Sequence, residues 1–111
     1  TFKANTDDMR GSPSLSLIPA LSKKGALIKY YDPTGFKMEF KKTKNVHYKQ
    51  TIKEAIDSSD LVIIHTEWND FKSINFRNLV KGKKFIIYDL RNIYSPLKIK
   101  TQGFKYYSIG R

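Results

Sequence analysis

Residues 61–64, Leu-Val-Ile-Ile, and residues 85–88, Phe-Ile-Ile-Tyr, are the two stretches that decide the fold. Both are short, continuous apolar runs rich in β-branched and aromatic residues. Such runs are typical of strands that are covered on both faces of a parallel sheet. Polar residues follow each run closely: Thr66 and Glu67 follow the first, and Asp89-Leu90-Arg91 follows the second. The two runs therefore predict buried parallel strands that end in polar loops.

Three further segments have β character, and helical segments lie between them. The predicted strands are residues 26–31, 104–107 and, more weakly and at an edge, 45–48. Ser12-Pro13 begins a predicted helix that Gly25 ends, and Thr51 with Glu54 fits a capping box. Residues 33–43 and 73–80 predict further short elements.

The alternation of strands and helices predicts a three-layer, Rossmann-like α/β sandwich with a mainly parallel sheet. A chain of 111 residues has room for one domain, so we expect residues 1–111 to form a single domain. In this interpretation, residues 1–3 are the tail of a first strand. Asp32 follows the strand at 26–31 and precedes Pro33, which favours a turn at the end of that strand.

The chain is strongly basic, with 21 Lys and Arg against 10 Asp and Glu and a formal net charge of +11. This excess favours anionic partners such as phosphorylated metabolites or nucleic acid. The densest basic stretch, residues 37–49, interleaves with Phe36, Phe40 and Tyr48, as in a protein that binds single strands. A stand-alone basic α/β module that binds nucleic acid is therefore the alternative function, although a solvated lysine-rich surface explains the charge more simply.

Several functional classes are excluded or disfavoured by what the sequence lacks. There is no cysteine, which excludes disulfides, thiolate metal sites and a cysteine nucleophile from this chain. There is no G-x-G-x-x-G loop for a dinucleotide, and His47 and His65 have no metal-ligand partner set. No apolar run is long enough to span a bilayer, and nothing at the start reads as a signal peptide, so we expect a cytoplasmic protein without membrane partners.

Ligands of open α/β sheets bind beyond the carboxyl ends of the strands. We expect Lys3, Arg10 and Arg91 to converge on one such rim, where three cations would suit a diphosphate. The alternative for Arg91 is that it only pairs with Asp89 or a loop carbonyl. The nearby acidic pair, Asp7 and Asp8, fits capping or pairing with Arg10 better than acid–base catalysis. The roles of Glu67 and Trp68 stay open, although Trp68 fits a packed aromatic side chain.

Five motifs in register resemble one known family over nearly the whole chain. They are residues 2–10 (Phe-Lys-Ala-Asn-Thr-Asp-Asp-Met-Arg) followed by Ser12-Pro13-Ser14, Tyr31-Asp32-Pro33, Thr66-Glu67-Trp68 with Phe71, Asp89-Leu90-Arg91-Asn92-Ile93-Tyr94, and Gly103-Phe104 with Ile109-Gly110. This order resembles the C-terminal, UDP-binding domain of the UDP-glucose/GDP-mannose dehydrogenase family, and most of all its UDP-glucose 6-dehydrogenase branch. The family usually has an acidic residue where Gly11 stands here.

The resemblance implies an oxidoreductase that converts UDP-glucose to UDP-glucuronate in two NAD-dependent hydride transfers, through a thioester on a catalytic cysteine. It implies that Phe2, Lys3 and Arg91 bind the UDP-sugar and that Arg10 approaches the phosphates of NAD. The NAD-binding domain, the central dimerisation region and the cysteine of the family have no counterpart in this sequence, and its first strand is truncated at the N-terminus. We therefore expect no activity from this chain alone, whether it is an excised domain or the product of a split gene.

Overall fold

A computed structural model of the protein describes residues 1–80 and 84–110, so Arg111 lies outside the described residues. The chain divides into two compact units, Thr1–Ala55 and Ile56–Arg111. Helices and strands follow one another in the order α1 (Ser14–Lys23), β1 (Ile28–Tyr30), a 3₁₀ helix (Met38–Phe40), β2 (Val46–Tyr48), α2 (Ile52–Ile56), β3 (Leu61–Ile64), α3 (Asn69–Lys72), α4 (Phe76–Leu79), β4 (Ile86–Asp89), α5 (Pro96–Thr101) and β5 (Lys105–Ser108).

Helix α1 ends as the sequence predicts. Gly25 has a φ of 91°, and its N–H donates to the carbonyl of Ser22 while the N–H of Ala26 donates to that of Leu21. These two bonds form a Schellman motif, which requires a left-handed residue and therefore favours glycine at position 25. The predicted cap of α2 is also present, because Thr51 Oγ1 accepts the N–H of Glu54 at 3.1 Å.

The first unit contains a parallel pair of strands over a small core. Strands β1 and β2 pair in the register Ile28↔Val46 to Tyr30↔Tyr48. The buried core consists of Met9, Ile18 and Phe40, with Ile28, Tyr30 and Val46 packed against it.

The second unit contains a three-stranded parallel sheet in the order β3-β4-β5. Its register places Ile64 of β3 opposite Asp89 of β4, and Asp89 opposite Ser108 of β5. The ends of the three strands therefore lie side by side. The five predicted strands and the parallel α/β architecture are confirmed, with the strands hydrogen-bonded in two groups.

One expectation about β3 and β4 is wrong: the sheet is not covered on both faces. Buried residues alternate with more exposed ones along β3, β4 and β5. Tyr88 is 40% exposed and Tyr107 is 49% exposed, and their rings stack on each other with centroids 5.0 Å apart. A run that is apolar at every position can thus bury one face and leave aromatic side chains to pack in pairs on the other.

An aromatic cluster forms the centre of the core of the second unit. The side chain of Phe76 in α4 is fully buried, and its ring makes edge contacts with Phe85, Tyr94 and Phe104 at centroid distances of 6.0, 5.6 and 6.0 Å. Asn75 begins α4 by accepting the N–H of Asn78 on its side chain. Phe85 and Phe104 directly precede β4 and β5, so the cluster packs where these two strands begin.

Candidate functional site

Residues 1–3, predicted as the tail of a first strand, are not assigned to a β-strand in the described part of the chain. Side chains and a loop carbonyl contact them. The backbone nitrogen of Thr1 donates to Asp32 Oδ2 at 2.6 Å, and the carbonyl of Thr1 accepts the Ser12 hydroxyl at 3.4 Å. The N–H of Phe2 donates to the carbonyl of Asp8 at 3.0 Å. The segment that carries two predicted substrate residues is therefore fixed at the end of β1.

Asp32, directly beyond β1, forms the turn that the Asp-Pro pair predicts. Its Oδ1 accepts the N–H of Thr34 at 2.8 Å and the Thr34 hydroxyl at 2.6 Å, and its carbonyl accepts the N–H of Gly35. The ammonium of Lys37 is buried and lies 3.8 Å from the same carboxylate. Burial alone would raise the pKa of Asp32, but the bonds from Thr1 and Thr34 outweigh it and lower that pKa.

Phe2 and Lys3 contact each other in the first unit. The ammonium of Lys3 lies 5.3 Å from the centre of the Phe2 ring, a distance at which a cation and an aromatic face attract. Phe2 is half-buried and Lys3 is exposed. The pair thus presents one positive charge and one apolar face to solvent.

Arg10 pairs with Asp8, as the sequence favours. The guanidinium donates from Nη2 to Asp8 Oδ2 at 2.7 Å and from Nε to both carboxylate oxygens at 3.0 and 3.1 Å. These bonds lower the pKa of Asp8 to about 2. The Arg10 side chain is 91% exposed despite the pairing, so an anion can reach it from solvent. The following residue, Gly11, has a φ of 74°, which an acidic residue at that position would adopt only with strain.

Arg91 lies at the carboxyl end of β4 in the second unit, and its partner is Glu67. Nη2 of Arg91 donates to Glu67 Oε1 at 3.0 Å, with 32% of the Arg91 side chain and 45% of the Glu67 side chain exposed. The register of β3 and β4 explains the pairing, because Ile64 and Asp89 lie opposite each other and the two loops leave the sheet together. Glu67 is the partner that sequence reasoning left without a role.

The loop that carries Arg91 is organised by Asp89, whose side chain is fully buried. Asp89 Oδ1 accepts the N–H of Arg91 at 3.1 Å, and Oδ2 accepts the N–H of Tyr94 at 3.0 Å and the hydroxyl of Tyr106 at 2.6 Å. Asn92 exchanges two hydrogen bonds with the backbone of Ile109, at 2.9 and 3.1 Å. The sequence offered Asp89 as the end of a strand and as an alternative partner of Arg91, and its contact with Arg91 is to the backbone N–H.

Other predicted assignments have simpler outcomes. Trp68 is 9% exposed and packs in the core, as predicted. In the predicted strand at residues 104–107, Tyr106 is buried and Tyr107 is half exposed. In the described part of the chain, no group of three or more His, Asp or Glu residues is placed to hold a metal ion.

The basic stretch at residues 37–49 does not form an aromatic platform for nucleic acid. Phe40 is 4% exposed and packs edge-on against Tyr30, and Tyr48 also contacts Tyr30. Lys37 is buried beside Asp32. Phe36 is 48% exposed, and its ring contacts Tyr48 edge-on at a centroid distance of 6.4 Å. All three interleaved aromatic side chains thus take part in packing within the first unit.

The residues predicted to bind substrate and cofactor are divided between the two units. Phe2, Lys3 and Arg10 belong to the first unit, and Arg91 belongs to the second. Their convergence on one rim stays a prediction. No helix in the described ranges combines the length and apolar character needed to cross a bilayer.

Comparison with known proteins gives a consistent result. The model of the UDP-glucose/GDP-mannose dehydrogenase family, UDP binding domain, matches residues 1–96. UDP-glucose 6-dehydrogenase of Rickettsia felis is 39% identical over 113 residues, with 99% of this chain and 25% of the relative covered. The enzyme of the same name from Rhizobium meliloti is 40% identical over 112 residues, with 100% of this chain and 26% of the relative covered. The chain thus spans about a quarter of the length of the curated relatives that it matches.

A solved structure shows the same fold. NDP-N-acetyl-D-galactosaminuronic acid dehydrogenase from Methanosarcina mazei Go1 superimposes with a TM-score of 0.81 at 23% identity, over 99% of this chain and 23% of that chain. The Rossmann-like α/β fold is thereby confirmed. The comparisons give no support to the nucleic-acid alternative. Because the family model, the relatives and the fold agree, the chain belongs to the UDP-glucose/GDP-mannose dehydrogenase family and corresponds to its UDP binding domain.

Proposed function

We propose that this chain binds UDP-glucose as the UDP-sugar-binding domain of an NAD-dependent UDP-glucose 6-dehydrogenase. The observation that carries the proposal is the placement of Arg91. Its backbone is tied to the buried carboxylate of Asp89 at the end of a strand, while its guanidinium remains partly exposed. A guanidinium on a rigid base can donate to two oxygens of a diphosphate at once, which is the chemistry that UDP requires.

Phe2 and Lys3 complete the proposed substrate contacts. The Lys3 ammonium is a mobile point charge suited to the diphosphate, and the Phe2 ring offers an apolar face to the nucleotide or sugar. Asp32 and Asp8 fix the backbone of this segment, which supports a role in binding. The UDP-glucose 6-dehydrogenases that match the whole chain at about 40% identity support UDP-glucose as the sugar nucleotide.

Arg10 is the residue of this chain for which we propose a contact with NAD. NAD supplies the hydride acceptor of the reaction, and its phosphates are anions that an exposed guanidinium attracts. Arg10 fits that task because its side chain is 91% exposed even while it pairs with Asp8. The sequence has no glycine-rich dinucleotide loop, so most of the NAD contacts must come from a separate NAD-binding region.

The same reasoning assigns this chain a binding role without chemistry of its own. A thioester needs a cysteine, and this chain has none. The NAD-binding and central dimerisation regions of such an enzyme are therefore its proposed partners, and the cytoplasmic location expected for the enzyme is part of the same proposal. We expect the pure chain to produce no reduced cofactor from UDP-glucose and NAD.

The test is a calorimetric titration of the 111-residue chain with UDP and with UDP-glucose, with inorganic phosphate as the control ligand. We expect saturable binding of both nucleotides, a much weaker response to phosphate, and a modest loss of affinity as salt is raised. A single-stranded oligonucleotide is titrated in parallel. Tight oligonucleotide binding that falls steeply with salt, without any response to UDP, would overturn the proposal.

A further inference from the structure

The carboxylate of Glu67 holds the guanidinium of Arg91, and neither the sequence pattern nor the family comparison assigns Glu67 a role. Their contact, 3.0 Å between Glu67 Oε1 and Arg91 Nη2, joins the loops that follow two neighbouring parallel strands. We propose that Glu67 is a positioning residue that orders the Arg91 side chain for the diphosphate of the substrate. This inference rests on the proposed function of Arg91 as a ligand of UDP.

Both partners of this ion pair stand on a fixed backbone. Glu67 lies between Thr66 and Trp68, which are 4% and 9% exposed, so its backbone is anchored on both sides. The N–H of Arg91 is held by Asp89. Because the backbones of both loops are already fixed, the ion pair has only the two side chains left to order.

The pair remains open to a ligand from solvent. About a third of the Arg91 side chain and nearly half of the Glu67 side chain are exposed. Nη2 of Arg91 donates to one carboxylate oxygen of Glu67, and the exposed part of the guanidinium can be reached by an anion from solvent. The diphosphate can thus approach an arginine whose rotamer is already chosen, which removes part of the ordering cost of binding.

The negative charge of Glu67 has the opposite effect on UDP affinity from its ordering of the Arg91 side chain. A carboxylate near the site repels a diphosphate, so its removal would strengthen binding if charge alone mattered. The partial exposure of both side chains weakens this repulsion, whereas solvent does not restore a lost rotamer. The sign of the change in affinity therefore distinguishes positioning from simple repulsion.

A double-mutant cycle on the 111-residue chain, with UDP as the ligand and calorimetry as the measurement, tests the proposal. We expect Glu67→Ala to weaken UDP binding by about threefold to tenfold, the cost of ordering one long side chain. Glu67→Gln keeps the length and the acceptor oxygen and should recover most of the affinity. In the Arg91→Ala background, Glu67→Ala should produce no further weakening, because Glu67 acts through Arg91.

Asp70→Ala is the matched control for Glu67→Ala. Asp70 is an exposed carboxylate in the adjacent helix α3, and both substitutions change the net charge by the same amount. Its UDP affinity should equal or slightly exceed that of the parent. If Arg91→Ala weakens UDP binding but Glu67→Ala leaves it unchanged or stronger, the positioning role is wrong and the proposed function stands. If Arg91→Ala itself leaves UDP binding unchanged, the proposed function of Arg91 fails, and the role of Glu67 fails with it.

Discussion

The hydroxyl of Tyr106 in β5 donates to Oδ2 of Asp89 at the end of β4, at 2.6 Å and out of contact with solvent. The same carboxylate accepts the N–H of Tyr94 on Oδ2 and the N–H of Arg91 on Oδ1. One buried anion therefore joins an adjacent strand to the loop that carries the proposed substrate arginine. A buried charge is tolerated only where such donors surround it.

The first prediction is that Asp89→Asn destabilises the chain by about 2–3 kcal/mol. Asparagine has one acceptor oxygen, and its amide group would face either the Arg91 N–H or the Tyr94 and Tyr106 donors. In either orientation the NH₂ of asparagine faces buried N–H or O–H donors, and these donors lose their hydrogen bonds to a charged acceptor. Urea unfolding followed by circular dichroism measures the change.

Tyr106→Phe provides the comparison for that variant. It removes one donor and leaves the carboxylate with its two backbone N–H groups, so we expect a smaller loss of about 1 kcal/mol. An Asp89→Asn variant as stable as the parent would show that the carboxylate does not organise this loop.

The sequence was sufficient for the framework of the fold. Segments with β character predicted all five strands, although only residues 61–64 and 85–88 are continuous, β-branched runs. Gly25 predicted the end of α1 and Thr51 the start of α2, because periodicity and capping are local properties. Helices α3 and α5 were not predicted, because each is too short to show a helical periodicity, and α4 was predicted only as a short element at residues 73–80. The exposure of Tyr88 and Tyr107 was also missed, since side-chain pairing across strands depends on register.

The candidate site was predicted less completely. The Asp8–Arg10 pair and the place of Arg91 just beyond β4 followed from residue type and sequence position. The binding roles of Arg10 and Arg91 stay predictions. The contact between Glu67 and Arg91 depends on which strands are neighbours, and the sequence alone does not give that order. The buried Lys37 beside Asp32 was hidden within a lysine-rich stretch that reads as solvated. Long-range pairing is thus the information that local patterns lack.

A second prediction concerns alkaline pH. Burial, with the nearby Asp89 and Tyr106 adding to it, raises the pKa of Tyr94 well above its usual value near 10. The unfolded chain therefore loses this proton at a lower pH than the folded chain does. The stability that the protonated hydroxyl contributes is complete below pH ~10 and is lost as the pH rises further, by up to about 1.4 kcal/mol per pH unit.

Tyr94→Phe tests this dependence, because it removes the ionisable hydroxyl and its hydrogen bond to the carbonyl of Phe71. We expect the variant to be less stable than the parent at neutral pH and to show a shallower decline in the free energy of unfolding above pH ~10. Urea unfolding at a series of pH values gives both slopes. Equal slopes in the two proteins would contradict the raised pKa.

A third prediction concerns acid titration in the first unit. The hydrogen bonds and charge of Arg10 lower the pKa of Asp8 from 3.8 to about 2. Because the folded pKa is depressed, any stability from this pair is present above pH ~4 and is lost as the pH falls through about 2. A carboxyl titration by NMR should show the low value in the parent and a return toward 3.8 in Arg10→Ala. Added salt should reduce the difference, since the pair is exposed.

The last prediction is that Arg91→Ala weakens UDP binding by about 1.5–3 kcal/mol while it leaves the melting temperature nearly unchanged. The binding loss follows from the removal of a charge-assisted hydrogen bond to the diphosphate. The small effect on stability follows from the partial exposure of the Glu67–Arg91 pair, since exposed pairs contribute about 0–1 kcal/mol. Arg91→Lys should recover only part of the affinity, because an ammonium on a flexible stem cannot hold two oxygens in the plane of a guanidinium.

Arg77→Ala is the matched control, because Arg77 is an exposed arginine of helix α4 in the same unit and its removal lowers the net charge equally. Calorimetry with UDP and thermal unfolding of the parent and the three variants give both quantities. If Arg91→Ala and Arg77→Ala weaken UDP binding equally, the effect is one of general charge and not of a site. If Arg91→Ala keeps the affinity and lowers the melting temperature by several degrees, Arg91 serves the structure of the loop, and the rim beyond β3 and β4 is not where the diphosphate binds.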